Sequence, residues 1–236
     1  MGGVSLSTST KNAEEGDRVR LSATLKARAA ATTITLERWS APYFGSSSWE
    51  AVDAAKVRGR REIAFDVVAP PVNSERYRVS VAYNSGKSHR SRPVTFTVWR
   101  WIALSDFEPY YETSGVGPGI VSINGQQYQS WGPYYSSNAN SWEARFTPGR
   151  NCKAFAAVIG GADPSDDGST GTIRLTADDN LIYESASLTP GMDQRIEIPL
   201  ALPYRFGIVY DDTSAAGLRG WPAMGDPGFL CTGVPT

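Results

Sequence analysis

The 236-residue chain is predicted to be all-β, folded as two β-sandwich domains over residues 1–100 and 101–236. Three observations predict it. Apolar residues alternate with polar ones at a period of two through much of the chain, and no segment carries a convincing 3.6-residue apolar stripe. Turn signals built from Gly, Pro, Asn and Asp separate these runs at short intervals. Charge divides the chain in two: residues 1–100 carry a net +7 and residues 101–236 a net −8, within a whole of −1. A split of this kind suggests two separately built units. At 41% apolar residues the chain has material for packed cores, which excludes wholesale disorder.

Seven short strands are expected in the first hundred residues. Val4-Ser5-Leu6-Ser7 opens the set. Val19, Leu21, Ala23 and Leu25 alternate with polar residues, as do Ile34 and Leu36. Trp49-Glu50-Ala51-Val52 follows, then Ile63, Phe65 and Val67, then Tyr77, Val79, Val81 and Tyr83, then Val94, Phe96 and Val98. Glu15-Gly16-Asp17, Ala69-Pro70-Pro71 and Asn84-Ser85-Gly86 are the turns between them. Each strand would bury one face, the pattern of an antiparallel sandwich. The order of features over residues 61–98 resembles strands E, F and G of an immunoglobulin-like domain, with Tyr77 where such domains often carry the tyrosine corner. This half has no cysteine, so the likeness is to the broad immunoglobulin/fibronectin superfold, whose modules are mostly spacers or docking units. Trp99-Arg100-Trp101-Ile102 reads as a short, stiff junction with its tryptophans packed between the domains; the alternative is an exposed aromatic pair for a partner.

The second half is β again and richer in aromatics. Ile120-Val121-Ser122-Ile123, Asn124-Gly125 and Gln126-Gln127-Tyr128 read as a hairpin, because Asn-Gly between such runs suits a type I′ turn. Strands are expected at 141–146, 154–159, 171–175, 181–185, 194–198 and 204–210, with a tight turn at Asp178-Asp179-Asn180. Residues 211–236 read as a loop-rich return to Cys231.

Within this half, Gly125, Tyr128, Trp131, Phe146, Cys152 and Phe155-Ala156-Ala157-Val158-Ile159-Gly160 follow one another as in the NPCBM family, the family 51 carbohydrate-binding modules. Gly171-Thr172-Ile173-Arg174-Leu175-Thr176-Ala177-Asp178-Asp179-Asn180 stands where that family has its G-x-(I/V)-x-(F/L)-x-V-x-D-G-x stretch, and Val209-Tyr210-Asp211-Asp212 with Trp221 resembles its late strand and tryptophan. The resemblance covers about residues 104–232 and implies a jelly-roll, galactose-binding-like sandwich that holds a glycan without cleaving it. The late loop departs from the family: Gly217-Leu218-Arg219-Gly220-Trp221 replaces an acidic D-H-A-D-W. The resemblance also implies a disulfide between Cys152 and Cys231, which would pin the C-terminal tail and place the protein outside a reducing cytosol. Two reduced, buried thiols are the alternative.

Composition limits the chemistry. One histidine, His89, read as part of an exposed turn, and two cysteines are too few for a Cys/His zinc site or a disulfide-framework miniprotein. No apolar run approaches a membrane span. The start lacks a basic or apolar leader segment, so either a signal was removed or the protein is used without secretion. Carboxylates are the catalytic stock: Asp163, Asp166 and Asp167 in one loop, Asp211 and Asp212 at one strand end. Pairs of this kind can hydrolyse glycosides or bind calcium, but Asp in turns is ordinarily solvated. No triad, nucleophile elbow, phosphate loop or metal spacing is present, so no enzyme and no cofactor are expected; calcium is the one ion left open. Trp142 alternates with Ala144 and Phe146 and reads as core. Trp131, Tyr134, Tyr135 and Trp221, with Asp211 and Asp212, are the candidate glycan-binding residues, since aromatic rings complement the C–H faces of sugars.

The expected partner is a cell-surface or cell-wall glycan, held by the second domain on an immunoglobulin-like stem. The alternative is a structural virion protein, a phage decoration, tail or fibre component, in which the same domains serve assembly and attachment. Homo-oligomers or surface-assembly proteins would then be partners, with the basic and acidic halves packing head to tail. The basic groups Lys56, Arg58, Arg60, Arg61 and Lys87, Arg90, Arg92 are spread out, so ordinary surface is preferred over polyanion binding, and nucleic acid is not an expected partner.

Overall fold

The computed structural model describes residues 3–234 except Ala27, Tyr43, Phe44 and Asn138. It divides into two compact units, Met1–Arg100 and Trp101–Thr236. The fold is all-β; among the described residues, helical structure is one 3₁₀ turn, Leu104–Asp106. No helix there is long and apolar enough to cross a membrane.

The first unit is a sandwich of strands β1 (Val4–Thr8), β2 (Asn12–Glu14), β3 (Arg18–Leu25), β4 (Ala31–Ser40), β5 (Ser48–Lys56), β6 (Glu62–Val68), β7 (Ser74–Tyr83), β8 (Ser88–Arg90) and β9 (Val94–Ala103), the last belonging to this unit as far as Arg100. One sheet has the order β1-β3-β6. In the other, β5, β4, β7 and β9 run in order, β8 also pairs with β7, and β2 lies parallel to β9. The period-two residues face inward: Leu21, Leu25, Ile34, Leu36, Val79, Val81, Phe96 and Val98 are buried between the sheets. Tyr77 is buried and stacks on Phe96 at 6.0 Å. Two strands lie outside the seven expected. At three residues each, β2 and β8 are too short to show a period. His89 is therefore on a strand rather than a turn, exposed and edge-on to Tyr83. Trp99-Arg100-Trp101-Ile102, expected as the junction, holds the division between the units and is itself strand, the end of β9; Trp101 is 46% exposed.

The second unit packs two five-stranded antiparallel sheets. Its strands are β10 (Tyr111–Glu112), β11 (Val116–Ile123), β12 (Gln126–Pro133), β13 (Ser141–Phe146), β14 (Cys152–Gly161), β15 (Gly171–Ala177), β16 (Asn180–Glu184), β17 (Asp193–Pro199), β18 (Phe206–Asp212) and β19 (Pro222–Cys231). One sheet has the order β10-β13-β18-β15-β16 and the other β11-β12-β19-β14-β17. The β11–β12 hairpin turns on Asn124 and Gly125, both at positive φ, and β15–β16 turns on Asp178 and Asp179 likewise. Between the sheets lie Trp142, Phe146, Phe155, Phe206, Tyr210 and Phe229.

Strand β19 overturns the expectation of a loop-rich C-terminus. Ten residues long and almost wholly buried, it sits at the centre of its sheet. Pro222, Gly225, Pro227 and Gly228 disguise it. The ladder tolerates them through a β-bulge, a register shift between Ala156↔Gly228 and Val158↔Gly225, with Asp226 in the left-handed region at φ 45°. At its end Cys231 pairs in register with Cys152 and forms the disulfide, Cα–Cα 4.0 Å.

Candidate functional site

Strand β12 ends at Pro133, where the ladder stops for want of an amide proton. The chain then turns outward. Tyr134 N–H donates to Gly115 O (2.8 Å) and Ser137 N–H to Tyr134 O (2.9 Å), which fixes the turn bearing Tyr134 and Tyr135. Both rings are somewhat under half exposed. Tyr134 lies across Gly117, where any side chain would collide with its phenol. Tyr135 stands edge-on to Trp221 at 5.6 Å. These residues, with Gly132 and Met224, line a hollow of about 210 Å³. Burial raises the Tyr135 phenol above its usual pKa; the nearby Asp163 carboxylate adds to this and the Ser122 backbone opposes it. The phenol therefore stays protonated at neutral pH and can both donate and accept at the rim.

The two candidate tryptophans are buried, and only Trp221 lines the hollow. Trp131 is 4% exposed and packs edge-on against Phe146 at 5.1 Å. Its indole Nε1 is buried without a hydrogen-bond partner among the described residues. Trp221 is 7% exposed, with Trp142 at 5.7 Å and the Arg219 guanidinium 5.3 Å from its ring centre. Trp142, read as core, is fully buried and donates through Nε1 to Ser137 Oγ (2.9 Å). Of the four aromatic candidates, then, Tyr134, Tyr135 and Trp221 come together at the hollow, and Trp131 is a core residue that does not line it.

Neither Asp211 nor Asp212 lines the hollow. Asp211 accepts Ser141 Oγ (2.7 Å) and pairs with Arg174 (2.8 Å). Asp212, its side chain 5% exposed, accepts the amides of Ser214 (3.0 Å) and Gly220 (3.1 Å) and lies 3.9 Å from Arg219. Arg219 in turn donates to Asn140 Oδ1 (2.8 Å), Ala139 O (3.2 Å) and Ser137 O (3.2 Å), while Asp166 accepts its amide (2.7 Å). The residues that replace the acidic late loop thus clasp that loop behind Trp221. Asp163 is similarly engaged, by Ser122 Oγ (2.5 Å) and Gly125 N–H (3.0 Å). Among the described residues no three Asp, Glu, His or Cys side chains gather as a metal site. Asp163, Asp166, Asp211 and Asp212 each already accept from amides, hydroxyls or guanidinium groups.

The sequence reading missed a larger cleft, of about 730 Å³, also within the second unit. Its lining includes Trp101, Ile120, Gln129, Arg195, Glu197 and Asp226. The exposed-aromatic reading of the Trp99–Trp101 segment was the one signal pointing to it.

No family profile matches the chain, and no curated protein sequence matches it. Among solved structures, the tandem CBM51 modules of a family 98 glycoside hydrolase from Streptococcus pneumoniae align over 98% of this chain and 83% of theirs, at 12% identity and a TM-score of 0.47. The CBM51 module of a Clostridium perfringens GH95 protein, solved with methyl-galactose, aligns over 55% of this chain and 99% of its own, at 15% identity and 0.44. The CBM51-2 and INT domains of Clostridium perfringens ZmpB align over 68% of this chain at 13% identity and 0.45, and the chain spans 38% of their length.

Proposed function

We propose that this chain is a non-catalytic binding protein whose second unit holds a glycan at the Tyr134–Tyr135 hollow. The observation that carries the reading is two part-exposed tyrosines, fixed on a rigid frame, flanking a small apolar recess. Sugar rings offer C–H faces to aromatic rings and hydroxyls to phenols. At about 210 Å³ the hollow is smaller than a drug-sized site and suits one sugar ring. The motif resemblance of residues 104–232 to carbohydrate-binding module family 51 supports the same class. Trp221 serves as a wall, and Asp211 and Asp212 hold the surrounding loops rather than acting on substrate. The first unit's strand order, with β2 parallel to β9, supports an immunoglobulin-like stem. The disulfide favours work outside a reducing compartment, at a cell surface.

A glycan array probed with the full chain tests this. Saturable binding that weakens roughly tenfold or more in Tyr135→Ala supports it. Binding that is absent, or untouched by Tyr134→Ala and Tyr135→Ala, contradicts it. A second reading, assembly of copies within a virion or surface array, draws on the +7 and −8 halves. It predicts self-association that salt disperses, read by analytical ultracentrifugation.

A further inference from the structure

Strands β11, β12, β19, β14 and β17 lie side by side in that order, and every one of them contributes to the 730 Å³ cleft. The cleft therefore runs across the outer face of a whole sheet. With strands about 4.8 Å apart, a trough crossing five of them is roughly 19 Å long, too long for one sugar ring. Its floor is low because Gly119, Ser130, Ala156 and Gly228 raise no large side chain there. Its walls are the side chains that period-two alternation turns outward. Trp101 is 46% exposed and Ile120 64% exposed, two large apolar surfaces left open to water. On β17, Arg195 and Glu197 point out while Ile196 points into the core. The β19 bulge brings Asp226 to the cleft, where its Oδ1 accepts the Gln129 amide (3.1 Å). A positive-φ aspartate at a bulge in a central strand is a costly conformation, and such sites concentrate where a strand must re-aim a side chain.

This cleft and the Tyr134–Tyr135 hollow meet: Gly119, Ile120 and Ser130 line both. We infer that the outer face of this sheet is an extended binding track for an uncharged oligosaccharide, with Arg195 and Glu197 of β17 at one end, the tyrosine hollow at the other, and Trp101, on β9 next to β19, along its wall. The inference rests on the glycan reading and extends it from one ring to a chain. An uncharged ligand follows from the lining: Arg195 is outnumbered by Glu197 and Asp226, which disfavours uronate or sulfate groups, while carboxylate, guanidinium and amide together suit hydroxyls. Trp101 and Ile120 supply surface for sugar C–H faces.

The test is calorimetry on the full chain with malto-, cello-, xylo- and chito-oligosaccharide series, monosaccharide to hexasaccharide. The expected result is affinity that rises with chain length in at least one series. Trp101→Ala should weaken the longest member roughly tenfold and leave the monosaccharide unchanged, whereas Tyr135→Ala should weaken both. Glu197→Gln, a surface change that spares the fold, should weaken the long members alone. Affinity independent of length, or insensitive to Trp101→Ala and Glu197→Gln, overturns the track while leaving the single-ring hollow intact. Binding of no member overturns the track, and loss of array binding as well overturns both readings.

Discussion

The two units each turn one broad sheet face outward, and the two faces are built oppositely. On the first unit's β5-β4-β7 face, Trp39 stands edge-on to Trp49 at 5.3 Å. The Arg78 guanidinium sits 4.1 Å from the Trp49 ring centre and Arg76 sits 5.6 Å from it. Arg78 also pairs with Glu37 (2.5 Å), and Arg38 with Glu50 (3.8 Å). Among the described residues, Trp39 and Trp49 on this face each already have a cation or another ring against them. On the second unit's β11-β12-β19-β14-β17 face, Trp101 and Ile120 stand over a cleft instead. Aromatic content alone is therefore a poor guide to ligand binding. A ring covered by a cation or another ring with no hollow beside it is a spent group, and a part-exposed ring that lines a hollow, as Tyr135 does, is an available one.

The largest expected effect concerns the frame beneath the open face. The Cys152–Cys231 bond joins β14 and β19, two of the strands that floor the cleft, across 79 residues of sequence. Removing it in Cys152→Ala/Cys231→Ala should cost the second unit about 4 kcal/mol. Denaturant unfolding of the full chain should show one transition moved and the other unmoved; equal movement of both would break the separation of the units.

The next effect is common to both units. Burial raises the phenol of Tyr210 in the second unit and of Tyr77 in the first, where Glu75 adds to the shift. Their unfolded value is 10.0. The folded protein keeps these protons where the unfolded chain releases them, so their stabilisation is complete below pH 10 and falls as pH rises above it. Alkaline unfolding in both units, delayed in neither, is the expected result, and a stability flat above pH 10 would contradict the burial. Tyr210 also donates to the Trp131 carbonyl, so Tyr210→Phe should weaken the second unit alone by about 1 kcal/mol.

The smallest effect sharpens the comparison most. Arg78→Ala removes the cation over Trp49 and the partner of Glu37, and should cost about 1 kcal/mol in the first unit. It should leave glycan affinity unchanged. Tyr134→Ala should do the reverse, with little change in stability and a loss of binding.

The sequence made visible what is local. Alternation located most strands, Asn124-Gly125 located a hairpin, and Trp142 declared itself core by its spacing from Ala144 and Phe146. What escaped depends on which distant segments meet. Strand β19 was hidden because its prolines and glycines mimic a loop, and a bulge was needed to make them compatible with a central position. Trp131 and Trp221 looked like their tyrosine neighbours because aromatic identity says nothing about which face of a sheet is covered. Asp211 and Asp212 looked like ligands because a free carboxylate and one clasping a loop are written with the same letter. The cleft was invisible because its walls come from six strands, β9 among them, whose order differs from their order in the chain.

Hydrogen–deuterium exchange of the full chain, with and without a saturating concentration of the best ligand from the glycan array, tests the central claim most directly. The account predicts new protection across residues 117–135 and 221–228 and at 195–197, with none over 37–56 or 74–83. Protection confined to the first unit's Trp49–Arg78 face, or no protection on the second unit's sheet, would contradict it.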